Sequence, residues 1–429
     1  MELKDLPSHR RTYMPVLRGK PSEWEALGAV GPSDRLKILP VVELNPDMFL
    51  RQPPPIEGAG ETPPPRRTLA ENQEFARTVI RRFAAQATFA GLRGRLIFDV
   101  GYCSRVDFEP LGVRLWNALL TTIAPRTPGL VPAIRFRRWN GGAHQAASVL
   151  VNHLAQGAAL RLFHEDLVRD DLDGYIERAF QFYELAPENV DLIVDFENDP
   201  YVLPYATLSE RLPSLDRWRT YTVVAGVFPP DLDQFRPERS PSPLERTEWI
   251  EYRKQEDALK ASGALRLPAF GDFTTQHGRY RDSVQAPPSY SVRYTDDECF
   301  WIYRGYKPNA AANRTGQQFL GHARLLRGSS HFFGRGFSDA DQFIYEKGDP
   351  TAKLPGNPGT WRTVGINHHI SVTLAQLSDP AGTSMHARVA AAARVLATDV
   401  GATSAIPLRS ALAARRIASS ETRRRPPSE

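Results

Sequence analysis

Eight short apolar runs, each followed by a stretch with helical spacing, dominate this 429-residue chain. They are Tyr13–Leu17, Leu36–Leu44, Arg95–Val100, Leu130–Phe136, Ala158–Phe163, Leu192–Glu197, Tyr221–Phe228 and Leu265–Phe270. Several are nearly continuous rather than alternating, as in Leu36-Lys37-Ile38-Leu39-Pro40-Val41-Val42. Strands covered on both faces by crossover helices read this way. Eight strand-then-helix units in about 270 residues match a closed parallel (β/α)8 barrel. The rival is an open doubly wound sheet, which would usually carry a Gly-rich phosphate loop after its first strand. Here Leu17-Arg18-Gly19-Lys20 has a single glycine.

The expected fold is therefore α/β: a TIM-like barrel over residues 1–286, a β-rich cap over 287–377, and a largely disordered Ala/Arg-rich tail over 378–429. Ser22-Glu23-Trp24-Glu25, Thr68-Leu69-Ala70-Glu71 and Ser242-Pro243-Leu244-Glu245 have capping-box spacing and predict helix starts. Phe75, Val79 and Phe83 predict one buried helical stripe, and Phe108, Leu111, Leu115 and Leu119 another. Gly31-Pro32 and Gly91 are expected stops. Within the cap, Ser291–Tyr294, Phe300–Tyr303 and Ile370–Leu374 read as strands. Two segments are expected to lack packed structure or to be only briefly ordered: a proline-rich loop over 53–65, and a tail with one short helix over 390–395.

With 41% hydrophobic and 24% charged residues the chain is ordinary for a globular protein. No apolar run approaches the ~20 residues of a membrane span. The opening Met1-Glu2-Leu3-Lys4-Asp5 lacks a signal-peptide core, and Cys103 and Cys299 lack metal-site or disulfide spacing. The expectation is a reduced, cytoplasmic protein without a membrane partner. The net charge is +5, but from Ser378 onward eight Arg against four acids supply +4, leaving about +1 for the body. A basic tail on a near-neutral body is weak support for a nucleic-acid-binding domain.

Active sites of parallel barrels gather at the C-terminal strand ends. Those ends are charged here: Arg18 and Lys20, Glu43, Asp99, Arg135, Arg161, Asp195 with Glu197, and Asp272. Arg18, Lys20, Arg135 and Arg161 are candidate clamps for an anionic, phosphate-containing substrate. Glu43, Asp195, Glu197, Asp272 and His368 are candidate acid/base groups. Asp195 and Glu197, two apart on a strand, would share a face and suit Mg²⁺ or Mn²⁺. Asp272 with His277 could form a base and its orienter. Of His368 and His369 on a strand, only one could face the barrel. Each group also has a plainer reading, as a member of a salt bridge across the mouth or a turn cap. No Gly-x-Ser-x-Gly elbow, Walker loop or His-Glu-x-x-His helix is present.

Tyr13-Met14-Pro15-Val16-Leu17-Arg18-Gly19-Lys20, Glu23, Ala26-Leu27 and Leu39-Pro40-Val41-Val42-Glu43 resemble the opening of the "beta protein" family of bacteria and their phages. Gly271-Asp272-Phe273, Gln276-His277, Arg293-Tyr294, Arg304-Gly305, Phe333-Gly334, Trp361-Arg362 and Asn367-His368-His369-Ile370 resemble its end, so the likeness spans 13–377. One departure is Ser338-Asp339-Ala340-Asp341, where a Trp-Gly-Asp-like turn is expected. The resemblance implies an association with phage defence or mobile elements and no defined activity. Three functional expectations stand. One, from the charged strand ends, is an enzyme hydrolysing a phosphodiester or nucleotide. Another is a non-catalytic recognition or scaffold module with an operon partner, its proline-rich loop and Arg-rich tail making the contacts. The third is nucleic-acid binding through the tail, which predicts strong weakening with salt.

Overall fold

The computed structural model describes residues 12–45, 94–104, 109–135, 141–279, 289–309 and 315–379, with single positions between 78 and 86 and at 384, 385 and 387. Contacts divide the chain into Met1–His386 and Ala387–Glu429, and the first unit is the subject below. The Thr68 cap, the Phe75 and Val79 stripe positions, Phe108, Gly91, the proline-rich loop and the tail helix lie outside the described residues. No described helix is long and apolar enough to cross a membrane.

All eight expected barrel strands are present: β1 (Met14–Leu17), β2 (Val41–Glu43), β3 (Leu96–Asp99), β4 (Leu130–Ile134), β5 (Ala158–Phe163), β6 (Val190–Asp195), β7 (Thr220–Ala225) and, after an intervening β8 (Ser242–Glu245), β9 (Ala269–Asp272). They close in the order β1-β2-β3-β4-β5-β6-β7-β9, every pair parallel. The two faces of the wall separate by a two-residue period. Met14, Val16, Val41, Ile97, Val131, Ala133, Ala159, Ile193 and Val224 pack together inside the barrel. Leu17, Val42, Leu96, Phe98, Leu160, Leu162, Leu192, Val194 and Val223 pack outward among the helices. Both faces are therefore dry, which explains the unbroken apolar runs.

The outer layer contains α1 (Pro21–Gly28), α2 (Pro32–Arg35), α3 (Glu109–Ala118), α4 (Gly141–Leu154), α5 (His164–Leu167), α6 (Leu172–Tyr183), α7 (Tyr205–Arg211) and α8 (Thr247–Ala261). Leu115 and Leu119 are buried, as the stripe predicted. The α1 box is shifted two residues earlier than expected. Lys20 is the cap, Pro21 takes the first helical position, and Glu23 Oε2 accepts the Lys20 backbone N–H at 2.8 Å. Gly31-Pro32 starts α2 rather than only stopping α1.

The expected helix start at Ser242 is corrected: Ser242–Glu245 is β8, and α8 begins at Thr247. Its partner decides this. β8 pairs antiparallel with β11 (Cys299–Tyr303), which pairs with β10 (Val292–Thr295) in a three-stranded sheet. Tertiary pairing overrides the local cap signal. The segment 287–377 thus supplies two strands plus α9 (Gln318–Arg327), α10 (Asp339–Lys347) and α11 (Pro358–Leu377).

Ile370–Leu374 is likewise helix, not strand, and the His368-His369 pair moves with it onto α11. Ile366, Ile370 and Leu374, four apart, join the barrel's outer core, while Trp361 and Val364 join the sheet's core. A helix buried between two layers is apolar on more than one side and mimics a strand in sequence.

Candidate functional site

Two residues beyond the inward-facing Val16, Val41, Ile97, Ala133, Ala159 and Ile193 stand Arg18, Glu43, Asp99, Arg135, Arg161 and Asp195. The same period that builds the dry barrel interior therefore turns all six toward the C-terminal mouth. Each is at most 5% exposed. Arg18 pairs with Glu43. Arg135 reaches Glu43 at 2.5 Å and Asp99 at 2.7 Å. Arg161 reaches Asp99 at 2.5 Å, Glu43 at 3.2 Å, and Asp195 through Nε at 2.7 Å. Three guanidiniums thus meet three carboxylates in one continuous network.

Small residues make room for it. A Cβ on Gly101 would lie 2.3 Å from Arg135 Nε, and one on Gly226 would lie 2.9 Å from the Phe273 ring. The Arg135 guanidinium is held between the Tyr102 and Phe163 rings, 4.5 and 4.9 Å from their centroids. Arg18 lies 5.7 Å over Phe273 and donates to the backbone carbonyls of His277 (3.1 Å) and Gly278. Burial alone would raise the Asp99 pKa, but Arg135 and Arg161 overcome it and hold the carboxyl below its ordinary value. The acids in turn raise Arg135 and Arg161 against their own burial. The mouth is therefore a floor of fixed, mutually balanced charge.

The other expected site residues do not join this floor. The strand ends at Asp195, whose Oδ1 accepts the Glu197 N–H at 2.7 Å. Glu197 adopts a left-handed conformation, φ 54°, and its carboxylate pairs with exposed Arg279 at 2.7 Å. The expected same-face carboxylate pair is thereby split, and among the described residues no group of three His, Cys, Asp or Glu is placed to hold a metal ion. The residues named for Mg²⁺ or Mn²⁺ do not fit one.

Asp272 follows the inward Gly271 and precedes the inward Phe273, so it points out of the barrel wall, toward α11. It accepts the Tyr13 hydroxyl at 2.5 Å and the Thr274 N–H at 2.8 Å, and lies 2.8 Å from His369 Nε2. Burial opposes its charge, yet His369 and Tyr13 hold its pKa low, while burial lowers that of His369. Asp272 is thus partnered by His369 and not, as expected, by His277, whose Nδ1 lies 2.7 Å from the Phe228 carbonyl.

His368 is fully buried between the cap elements, not over the mouth. Its Nδ1 lies 2.8 Å from Asp341 Oδ2, its Nε2 lies 2.8 Å from the Thr295 carbonyl, and its ring stacks on Tyr294 at 3.8 Å. Asn367 ties α1 to α10 through the Ala26 carbonyl and the Ala340 N–H, both at 3.1 Å. The Asn367-His368-His369 run is a three-way fastener of barrel, sheet and α10. In the departing segment, Ser338 caps α10 and Asp341 anchors His368.

Sequence reasoning missed two groups. Arg246 and Glu248 are buried beside Asp272. Arg246 Nη1 donates to Gln376 at 2.9 Å and to the Asp296 carbonyl at 3.0 Å, and neither Glu248 oxygen has a hydrogen bond. Burial pushes the Glu248 pKa up to about 8. Arg293 and Arg362 entered the sequence reading only within Arg293-Tyr294 and Trp361-Arg362, two pieces of the family resemblance. They stand beside Lys20, which is exposed at the α1 cap.

No match emerges from a search of curated proteins. A family model described as Beta protein matches residues 13–375, which includes the whole barrel, the cap sheet and nearly all of α11. With that span matched, the chain belongs to the Beta protein family.

Proposed function

We propose that the protein recognises a small phosphate-containing anion at the barrel mouth, with Arg18, Arg135 and Arg161 as a rigid charged floor. Glu43 and Asp195 serve as counter-ions that orient these guanidiniums, not as acids and bases in turnover. The supporting observation is the convergence of six buried charges on one mouth, with the Arg135 plane locked between two rings. Arg135 Nη1 donates to no described residue, so the floor retains a planar donor after its acids are satisfied. A pre-oriented guanidinium loses little freedom on donating to a phosphate oxygen.

The balance of three bases by three acids favours a second reading, a non-catalytic scaffold whose network only locks the barrel. Thermal-shift titration with orthophosphate and AMP separates the two. Recognition predicts a concentration-dependent rise in Tm that Arg135→Lys, which keeps the charge and loses the fork, weakens at least tenfold in apparent affinity. No shift in the wild type overturns recognition in favour of the scaffold. Turnover of a generic phosphodiester that disappears in Glu43→Gln would replace it with the hydrolytic reading.

A further inference from the structure

The loop after β9 contacts Arg293 and Arg18 directly and Lys20 through Glu23. Thr275 accepts Arg293 Nη1 through its carbonyl, Gln276 donates to Glu23 Oε1 at 2.7 Å, and His277 accepts Arg18 at 3.1 Å. Glu23 in turn holds the Lys20 backbone at 2.8 Å. Lys20 at the α1 cap, through Glu23, and Arg293 on β10 are thus tied to one short loop. A Cβ on Gly365 would lie 3.0 Å from the Arg293 carbonyl, so α11 packs directly on Arg293, and Arg362 stands one turn earlier on that helix face.

The acids nearby are already engaged. Glu23 takes the Lys20 N–H and Gln276, Glu25 takes Thr363 at 3.2 Å, and Asp272 takes Tyr13, His369 and Thr274. Among the described residues Lys20, Arg293 and Arg362 have no ion pair. Arg293 is left with one backbone acceptor and the Phe228 ring at 5.1 Å, and Arg362 with no hydrogen bond. The charges feel one another. Burial, then Arg362 and Arg304, push the Arg293 pKa down to about 9. Desolvation by the surrounding protein, opposed by Glu23 and reinforced by Arg362, Arg18 and Arg293, lowers Lys20 although its side chain is exposed.

We propose that Lys20, Arg293 and Arg362 form a binding site for a diphosphate group, free or at the end of a nucleotide, which bridges the barrel and α11. Like charges gathered without counter-ions cost stability, and natural chains keep such an arrangement where a ligand relieves it. Arg supplies planar forks and Lys a mobile point charge, a combination suited to several phosphate oxygens. A dianion or trianion satisfies three cations better than a monoanion does.

The test is calorimetry on the full chain at low salt with pyrophosphate, ADP and orthophosphate, alongside melting with no ligand. Wild type is expected to bind pyrophosphate or ADP more tightly than orthophosphate, with affinity falling as salt rises. Arg362→Ala, which removes no hydrogen bond among the described residues, is expected to weaken binding at least tenfold and to melt no lower than wild type without ligand. Lys20→Ala gives an independent second measure. No pyrophosphate or ADP binding by wild type, or undiminished binding by both variants, overturns the proposal. The site shares none of its three ligand residues with the floor. Loss in Arg135→Lys with none in Arg362→Ala or Lys20→Ala would sink the rim and leave the floor, and the reverse pattern would sink the floor and leave the rim.

Discussion

The charges inside the barrel mouth and those on its rim are chemically alike and electrostatically opposite. Inside, Arg18, Arg135 and Arg161 each touch at least one of Glu43, Asp99 and Asp195, and the sum is zero. On the rim, Lys20, Arg293 and Arg362 have no described acid within ion-pair distance. Burial explains the first arrangement, since a charge removed from water must find a partner. It does not explain the second, which an anionic ligand would complete. Paired charge thus fixes the floor in place, while the rim keeps an excess of positive charge, and we propose a separate anion for each.

The most damaging way to probe that contrast is to unbalance the floor. Glu43→Ala leaves three buried guanidiniums facing two carboxylates and is expected to cost about 3–5 kcal/mol, read as a fall in urea midpoint. A cost under ~1 kcal/mol would mean that the network does not lock the barrel.

The wall cluster behind β9 tests whether a buried acid with only a long ion pair, Glu248 Oε1 to Arg246 Nε at 3.7 Å, behaves differently. The folded-state pKa of Glu248, about 8, lies above its unfolded value. Its contribution is therefore fully present below about pH 4.3 and is lost as pH rises through about 8. Between pH 5 and pH 9 the wild type should lose about 4 kcal/mol relative to Glu248→Gln. Parallel pH profiles for the two proteins would refute this.

Asp272 has the opposite sign. Its pKa is depressed, so its contribution is present above about pH 3.9 and is lost as pH falls through the folded value. Asp272→Asn should cost about 1–2 kcal/mol at neutral pH, because Tyr13 and His369 lose a charged acceptor. Its acid-unfolding limb should also be shallower than that of the wild type. The smallest effect belongs to Glu197, whose partner Arg279 is 64% exposed. Glu197→Ala should change stability by no more than about 0.5 kcal/mol. A larger loss would show that the Asp195–Glu197 turn supports the floor.

The strand count, the barrel and the set of charged strand ends were legible because they are local: apolar runs of strand length, and a charged residue where each run stops. The convergence of Arg18, Glu43, Arg135, Arg161 and Asp195 follows from the two-residue period once the barrel closes. Asp272 shows the limit. It ends its strand like the others, yet it is one residue out of register with the inner lining and faces α11. Whether a strand-end residue points in or out depends on the register, which its neighbours set. The helix mistaken for a strand at Ile370–Leu374 is buried on two sides, and the strand mistaken for a helix start at Ser242 is set by pairing with a distant segment; both causes lie outside the local sequence.

What the order of amino acids determined by itself was a closed parallel barrel with a charged mouth, because periodicity and strand-end chemistry are written within a few residues of each other. What only the tertiary structure decided was which charges cancel. Glu43 meets Arg161 across 118 positions of sequence, and Arg362 acts on Lys20 across a longer interval still, with no ion pair to either among the described residues. Electrostatic balance is a property of distances in space, and those exist only after the chain has closed.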